Sequence, residues 1–493
     1  MSLININNLT FAYEGTYENI FENVNLNIDS SWKLGLIGRN GRGKTTLLNL
    51  LLGKYEYKGT INTKVNFEYF PFEINDLNKL TIEIVEDINP NYEYWQIAKE
   101  LNLLSVDEEV LYRPFYTLSN GERIKIMLAS LFTKENSFLL IDEPTNHLDM
   151  EAREKLTEYL NSKSGFILVS HDRTLLDNSV DHIISINKNK IDLQKGNFSS
   201  YFTNKEREDK FELTQNEKLK SEISELTEAS KRTTGWSNEV EKTKYNKRNS
   251  GLRPDRGFIG HKSAKMMQRA KAIEKRRNAS IEEKSKLLKN IEKQEDLKIV
   301  GSEYHTKLLL RLNHLNIYYD DKEAVHDVTF NINKGDRVIL KGKNGSGKSS
   351  ILKLILGKDI KYSGDLYKGS SLKISYISQD TSFLKGTFKD FCFDNGIDET
   401  IFKTNLRKLD FERSEFEKNL EDLSSGQKKK ILIAKSLTER ANLYIWDEPL
   451  NFIDVFSRIQ IEEVILKYKP TMIIVEHDKA FIDKVGSKVV ELD

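Results

Sequence analysis

The chain has one cysteine, Cys392, in 493 residues. That scarcity excludes a disulfide framework and any cysteine-rich zinc module, and it fits a reducing compartment. Long apolar stretches are also missing. Runs such as "FILV" and "MIIV" are strand-sized, far short of the roughly 18 residues a membrane span requires. The opening "MSLININNLTFAYEG" has neither a basic start before an apolar core nor a cleavage signature, so no secretory signal is expected and the expected location is the cytosol. Net charge is nearly absent as well, at +1.

That balance hides an uneven distribution. Between Lys205 and Lys298, 25 Lys and Arg face 17 Asp and Glu; between Lys231 and Arg277 the ratio sharpens to 15 against 4. A polyanion would find its footing in this middle segment. With 38% hydrophobic residues, the remaining chain is long enough for two or three domains with their own cores.

What is present is an internal repeat. "LGLIGRNGRGKTTLLNLLLG" near the start returns as "VILKGKNGSGKSSILKLILG", "LSNGE" as "LSSGQ", "FLLIDEPTNHLD" as "LYIWDEPLNFID", and "ILVSHD" as "IIVEHD". Spacing is kept too: Lys44 to Ser119 is 75 residues and Lys348 to Ser424 is 76, while Ser119 to Glu143 and Ser424 to Glu448 are both 24. Two copies of one domain are therefore expected. Within each, β-branched runs alternate with helical patterns, the signature of an α/β domain with a largely parallel sheet. The fold expected is two α/β P-loop domains at 1–204 and 303–493, joined at 205–302 by a long α-helical hairpin linker. "NEKLKSEISELTEASKR" and "AKAIEKRRNASIEEKSKLLKNIEKQEDLK" read as its two helices. "SNEVEKTKYNKRNS" and the Gly/Pro-containing "GLRPDRGFIG" read as the break between them.

"GRNGRGKT" and "GKNGSGKS" match the strand, G-x-x-x-x-G-K-[ST], helix pattern, in which backbone N–H groups turn inward around phosphates at the positive end of a helix. The residues expected at ATP are Gly38, Asn40, Gly41, Gly43, Lys44, Thr45 and Thr46, and in the second copy Gly342, Asn344, Gly345, Gly347, Lys348, Ser349 and Ser350. The lysines would neutralise the β- and γ-phosphates. Thr45, Ser349, Asp142 and Asp447 would hold Mg²⁺. Glu143 and Glu448 would orient and polarise the attacking water. His171 and His477 suit a hydrogen bond to the γ-phosphate. His147, His182 and His326 have no ligand spacing, and no chemistry is assigned to them.

This ensemble resembles the ATP-binding cassette superfamily in a tandem soluble form. The resemblance implies two cassettes facing head to tail in one monomer, with each ATP between the P-loop of one and the signature of the other. Lys44 would then work with Ser424 and Gly426, and Lys348 with Ser119 and Gly121. Tyr13 and Tyr319 match the position whose ring stacks on adenine, and Gln379 matches the Mg²⁺-contacting glutamine. Tandem cassettes with a helical hairpin and no membrane domain are similar to the ABC-F family, cytosolic ATPases that bind the ribosome's tRNA exit site. Sequence details look most like its antibiotic-resistance branch, the Lsa- and Vga-type ribosomal protection proteins. That likeness implies ATP and Mg²⁺ as cofactors, ribosomal RNA and tRNA as partners, and a linker tip directed at the peptidyl-transferase centre to dislodge lincosamides, pleuromutilins or streptogramin A. Lys242, Lys244, Lys247, Arg248, Arg253, Arg256, Lys262, Lys265, Arg269 and Lys271 would line RNA backbone, with Trp236, Tyr245 and Phe258 stacking on bases.

Departures stand beside the likeness. The first cassette has Phe72 where the second has Gln379, and Phe452 replaces His147 in the repeat. Equal lysine-to-signature spacing argues against an extra arm in the first cassette. The competing readings are a housekeeping translation factor of the same fold, an ATPase subunit of a transporter, and a DNA-repair or chromosome ATPase. A basic hairpin of this length speaks against the transporter subunit, and one cysteine with a short hairpin speaks against the last.

Overall fold

Apolar runs in the two repeats become the central strands of two separate sheets. The structure, a computed structural model, describes residues 2–15, 19–146, 148–187, 190–242, 296–302, 304–319 and 322–492, with seven further positions between 261 and 276. By their internal contacts, Met1–Tyr201 with Gln294–Asp493 form one unit and Phe202–Lys293 another.

In the first cassette a six-stranded sheet runs in the order Asn66–Phe70, Ser137–Asp142, Phe166–Val169, Lys33–Gly38, His182–Ile186, Ile191–Lys195. All neighbours are parallel except the last pair. The second cassette repeats this with five parallel strands: Ile374–Ile377, Leu443–Asp447, Met472–Val475, Arg337–Gly342, Lys488–Leu492. Phe166–Val169 and Met472–Val475 are buried at every position, as parallel strands covered on both faces must be, which is why they read as unbroken apolar runs rather than alternating ones. Each cassette adds a three-stranded antiparallel sheet: Phe21–Asp29, Leu3–Phe11, Lys58–Asn62 in the first and Lys322–Asn333, Leu308–Tyr319, Lys361–Lys368 in the second. In each cassette the apolar face of this sheet closes over the P-loop helix, packing Ile4, Ile6 and Leu9 with Leu47 and Leu48, and Leu310, Leu312 and Ile317 with Ile351 and Leu352.

Residues 296–302, placed in the linker on sequence grounds, attach to the second cassette. Leu297 and Ile299 are buried in its core, and Val300 N and Ser302 N donate to Leu437 O and Ala441 O at 3.1 Å each. The helix Phe198–Lys242 continues past Ser237, where the expected break begins, because Glu239, Glu241 and Lys242 are good helix formers. Trp236 and Lys242 lie on it; His261, Lys265, Gln268, Lys271, Ala272, Lys275 and Arg276 are helical and exposed. Lys244, Tyr245, Lys247, Arg248, Arg253, Arg256, Phe258, Lys262 and Arg269 fall outside the described residues, as does His147. Among the described residues no helix is long and apolar enough to cross a membrane.

Candidate functional site

Each P-loop leaves the end of a central strand, turns, and enters a helix at its lysine: Lys44–Leu51 and Lys348–Ile355. The turn is built for glycine. Gly43 and Gly347 hold φ of 91° and 83°, and a Cβ at Gly43 would sit 2.8 Å from Ile20 Cγ2, while one at Gly347 would sit 2.2 Å from Val325 Cγ2. Gly38 and Gly342 end the strands, and Gly41 and Gly345 lie in the turn itself. Lys44 Nζ donates to Gly38 O at 2.8 Å and Arg39 O at 3.3 Å; Lys348 Nζ donates to Gly342 O at 2.7 Å and Lys343 O at 2.6 Å. Burial pushes both ammonium pKa values down, so each lysine has an electrostatic reason to take up an anion.

The acidic pairs stand where expected, at the ends of the strands beside the P-loop strand's neighbour. Thr45 Oγ1 donates to Asp142 Oδ2 at 3.0 Å. Asp447 is buried with no hydrogen-bond partner for Oδ1, and its carboxyl is pushed up to about 6 by burial, with Glu448 adding to the shift. Glu143 and Glu448 adopt φ of 51° and 47°, a left-handed conformation that non-glycine residues take up at a cost and that concentrates at functional sites. Burial lifts the Glu143 carboxyl to about 8, with Asp142 as the next cause. Its Oε1 lies 3.3 Å from His171 Nε2. His477 Nε2 is buried without a hydrogen-bond partner, 3.9 Å from Glu448 Oε1. Burial holds His171 well below the usual range and His477 down to about 4, so both are neutral at pH 7, each with one N–H to donate.

The two cassettes meet head to tail. At the first P-loop, Asn40 Nδ2 donates to Phe452 O at 2.8 Å, and a Cβ on Gly426 would lie 3.0 Å from Asn40 Nδ2. Arg39 and Arg42 reach Asp410 across the same seam at 3.6 and 3.4 Å. At the second P-loop a cavity of about 370 Å³ is lined by Asn344, Lys348, Ser349, Ser350, Gln379, Glu448 and His477 from one cassette and by Asn120, Leu148 and Arg153 from the other. Signature serines Ser119 and Ser424 cap the helices Asn120–Phe132 and Ser425–Thr438, which presents the helix starts, Gly121 and Gly426 included, to the opposite P-loop. Tyr13 is exposed, its hydroxyl 2.8 Å from Thr46 Oγ1; Tyr319 ends its strand, also exposed. Gln379 Nε2 donates to Glu448 Oε2 at 2.8 Å, and Asn451 Nδ2 donates to the same oxygen at 2.6 Å.

Two arginines escaped the motif reading. Arg153 and Arg458 bind the carbonyls of Leu148 and Ile453 and pair with Asp172 and Asp478 at 3.4 and 2.8 Å. A signal existed: each follows the glutamate of its "DEP" by ten residues.

The family described as ABC transporter matches residues 21–146 and 325–451. The chain belongs to that family. Its two cassettes make it an ATPase of α/β fold. The ATP-binding protein Uup of Buchnera aphidicola subsp. Acyrthosiphon pisum is 29% identical, over 99% of this chain and 80% of its own. The ribosome protection protein VmlR of Bacillus subtilis is 28% identical over 97% of this chain and 85% of its own, and ABC transporter F family member 2 of Arabidopsis thaliana 25% over 99% and 76%. With these full-length relatives the tandem ABC ATPase groups as an ABC-F protein. Among solved structures, an archaeal ribosome recycling factor, aABCE1, in complex with the ribosomal stalk protein aP1 superposes with a TM-score of 0.64 at 18% identity, covering 98% of this chain and 87% of that one, a likeness of fold.

Proposed function

We propose that this ABC-F ATPase binds the ribosome at the tRNA exit site with ATP in both clefts, leaves on hydrolysis, and protects the ribosome from drugs at the peptidyl-transferase centre. The observation that carries the reading is the pair of composite clefts in one unit, each made by both cassettes, on a chain whose intervening segment is strongly basic. The name of VmlR, a ribosome protection protein, supports the reading, and aABCE1, alike in fold, is described as a ribosome recycling factor.

Closure follows from the geometry. A nucleotide between Lys348 and the helix start at Asn120 would be touched by both cassettes, so its triphosphate would bridge them, and the same holds for Lys44 and Gly426. Tyr13 and Tyr319 would stack on adenine. Thr45 with Asp142, and Ser349 with Asp447, fit Mg²⁺: the donors are hard oxygens, and Asp447 Oδ1 is buried without a partner. When bound, the ion would neutralise charge on the β- and γ-phosphates. Glu143 and Glu448 would take the proton of the attacking water as the bond between the γ-phosphorus and the bridging oxygen breaks, giving ADP and phosphate. Burial raises the Glu143 carboxyl, which makes its carboxylate, once ionised, a stronger base for that proton. His171 and His477 would donate to the γ-phosphate. The basic residues from Lys242 to Lys271, with Trp236 and Phe258, would supply salt-sensitive contacts to RNA backbone and bases.

Cosedimentation of the E143Q/E448Q chain with purified 70S ribosomes tests this. In ATP the double variant should remain bound where wild type cycles off; equal, low binding of both refutes the cycle. The drug-protection half is tested by expression in a susceptible bacterium, where unchanged lincosamide, pleuromutilin and streptogramin A sensitivity refutes it.

A further inference from the structure

We propose that Tyr69 positions Asp142 at the first ATP site, taking the place of the glutamine this cassette lacks. Tyr69 sits on the strand Asn66–Phe70 and pairs with Leu140, two residues before Asp142; Tyr376 pairs with Ile445, two residues before Asp447. The two tyrosines are therefore equivalent in the repeat. Their hydroxyls go to different places. Tyr69 OH donates to Asp142 Oδ2 at 3.1 Å, the oxygen that also accepts from Thr45 Oγ1 at 3.0 Å. Among the described residues no hydrogen bond joins the Tyr376 hydroxyl to Asp447, although burial and then the Asp447 charge raise its pKa.

The next residues explain the divergence. Ser378 and Gln379 of the second cassette correspond to Pro71 and Phe72 of the first. Phenylalanine offers no amide, so no glutamine from this strand competes for the acidic pair, and Tyr69 is the donor that reaches it. In the second cassette Gln379 serves the acidic pair through Glu448. In the first, the polar contact from this strand comes from Tyr69 and falls on Asp142. The ring is fixed for the purpose: Tyr69 packs against the first cassette's core, with Lys54 Nζ 5.3 Å from the ring centroid. Two donors on one carboxylate oxygen hold Asp142 in a single orientation, and such outer contacts govern how well a carboxylate presents itself to a metal ion.

This inference rests on the Mg²⁺ reading above, and Mn²⁺ replaces Mg²⁺ as the probe. Titration of the full-length chain with Mn²⁺ and ATP, followed by electron paramagnetic resonance, reads the first site alone in the K348A background and the second alone in the K44A background. Y69F should weaken Mn²⁺ at the first site by about tenfold, and Y376F should leave the second unchanged. In EDTA each tyrosine variant should bind ATP as its own parent chain does, which a merely structural role of Tyr69 would not give. Adding F72Q to Y69F should restore the Mn²⁺ affinity. Wild-type affinity in Y69F, an equal loss in EDTA, or a Y69F/F72Q chain as weak as Y69F overturns the assignment. A parent K348A chain with no Mn²⁺·ATP signal at all refutes instead the metal reading beneath it.

Discussion

The side-chain amide of Asn40 donates a 2.8 Å hydrogen bond to the carbonyl of Phe452, 412 residues away in the chain. This bond stitches the first P-loop to the turn after the second cassette's strand Leu443–Asp447, and Gly426 is the residue wedged beside it. A Cβ there would lie 2.6 Å from Phe452 O and 3.0 Å from Asn40 Nδ2, whereas a Cβ on its counterpart Gly121 would meet only Leu148 Cδ2 at 3.5 Å and Ser119 Oγ at 4.0 Å. Alanine near the start of a helix is otherwise favourable. G426A should therefore destabilise the cassette unit by about 1–3 kcal/mol, the usual range for overpacking, while G121A should be neutral or slightly stabilising. Thermal melts of the two single variants compare them, and equal melting temperatures contradict the asymmetry.

A second asymmetry lies between the cassettes in a buried ion pair. Arg173 binds Glu462 through both Nη nitrogens, Nη1 to Oε2 at 3.1 Å, and Glu462 is fully buried. Lys484 is a second partner of Glu462, at 3.1 Å. The repeat places Lys479 opposite Arg173, and Lys479 pairs with Glu154 on the surface. Removing one partner of a buried pair strands the other charge, typically at about 3–5 kcal/mol, while an exposed pair is worth about 0–1 kcal/mol. E462A should lower denaturant stability by several kcal/mol and K479A by less than about 1 kcal/mol. Chemical denaturation of both variants checks this; a mild E462A contradicts the pair's role as the seam's anchor.

Stability should also depend on pH in a way that points to Glu143. Its carboxyl is held at about 8 in the fold against an ordinary value near 4.3. Between those pH values the folded chain keeps a proton the unfolded chain has released, so this contribution is complete below the ordinary value and is lost as pH rises through 8. His477, held down to about 4 by burial, acts at the opposite end: its contribution is complete above about 6.5 and is lost as pH falls toward 4. E143Q should accordingly gain on the order of 2–5 kcal/mol at pH 9 and almost nothing at pH 4. Melts across that range give the difference, and a gain that does not grow with pH removes the physical basis assigned to Glu143.

The fold was legible because two copies checked each other, and the P-loop turns because a phosphate cradle needs glycines, lysine and hydroxyl at fixed spacing. Arg153 and Arg458 were within reach by the same comparison. Arg173 with Glu462 was not: the repeat gives Lys479 and Thr157 at those places, so nothing periodic links two charges that meet only when two cassettes face each other. Tyr69 was hidden for a related reason. Tyrosine occupies both copies, and only the 3.1 Å distance to Asp142 shows where the hydroxyl of Tyr69 goes. At 296–302 the charge pattern of the linker ran on while Leu297 and Ile299 had already entered the second core.

Crosswise nucleotide capture is the most direct test of two clefts shared between cassettes. The full-length E143Q/E448Q chain, photolabelled with an azido-ATP and split by protease, reports the label in each cassette separately. S424R, across the seam from Lys44, should abolish labelling of the first cassette and spare the second, and S119R should do the reverse. Loss of label in the same cassette that carries the arginine would contradict the account.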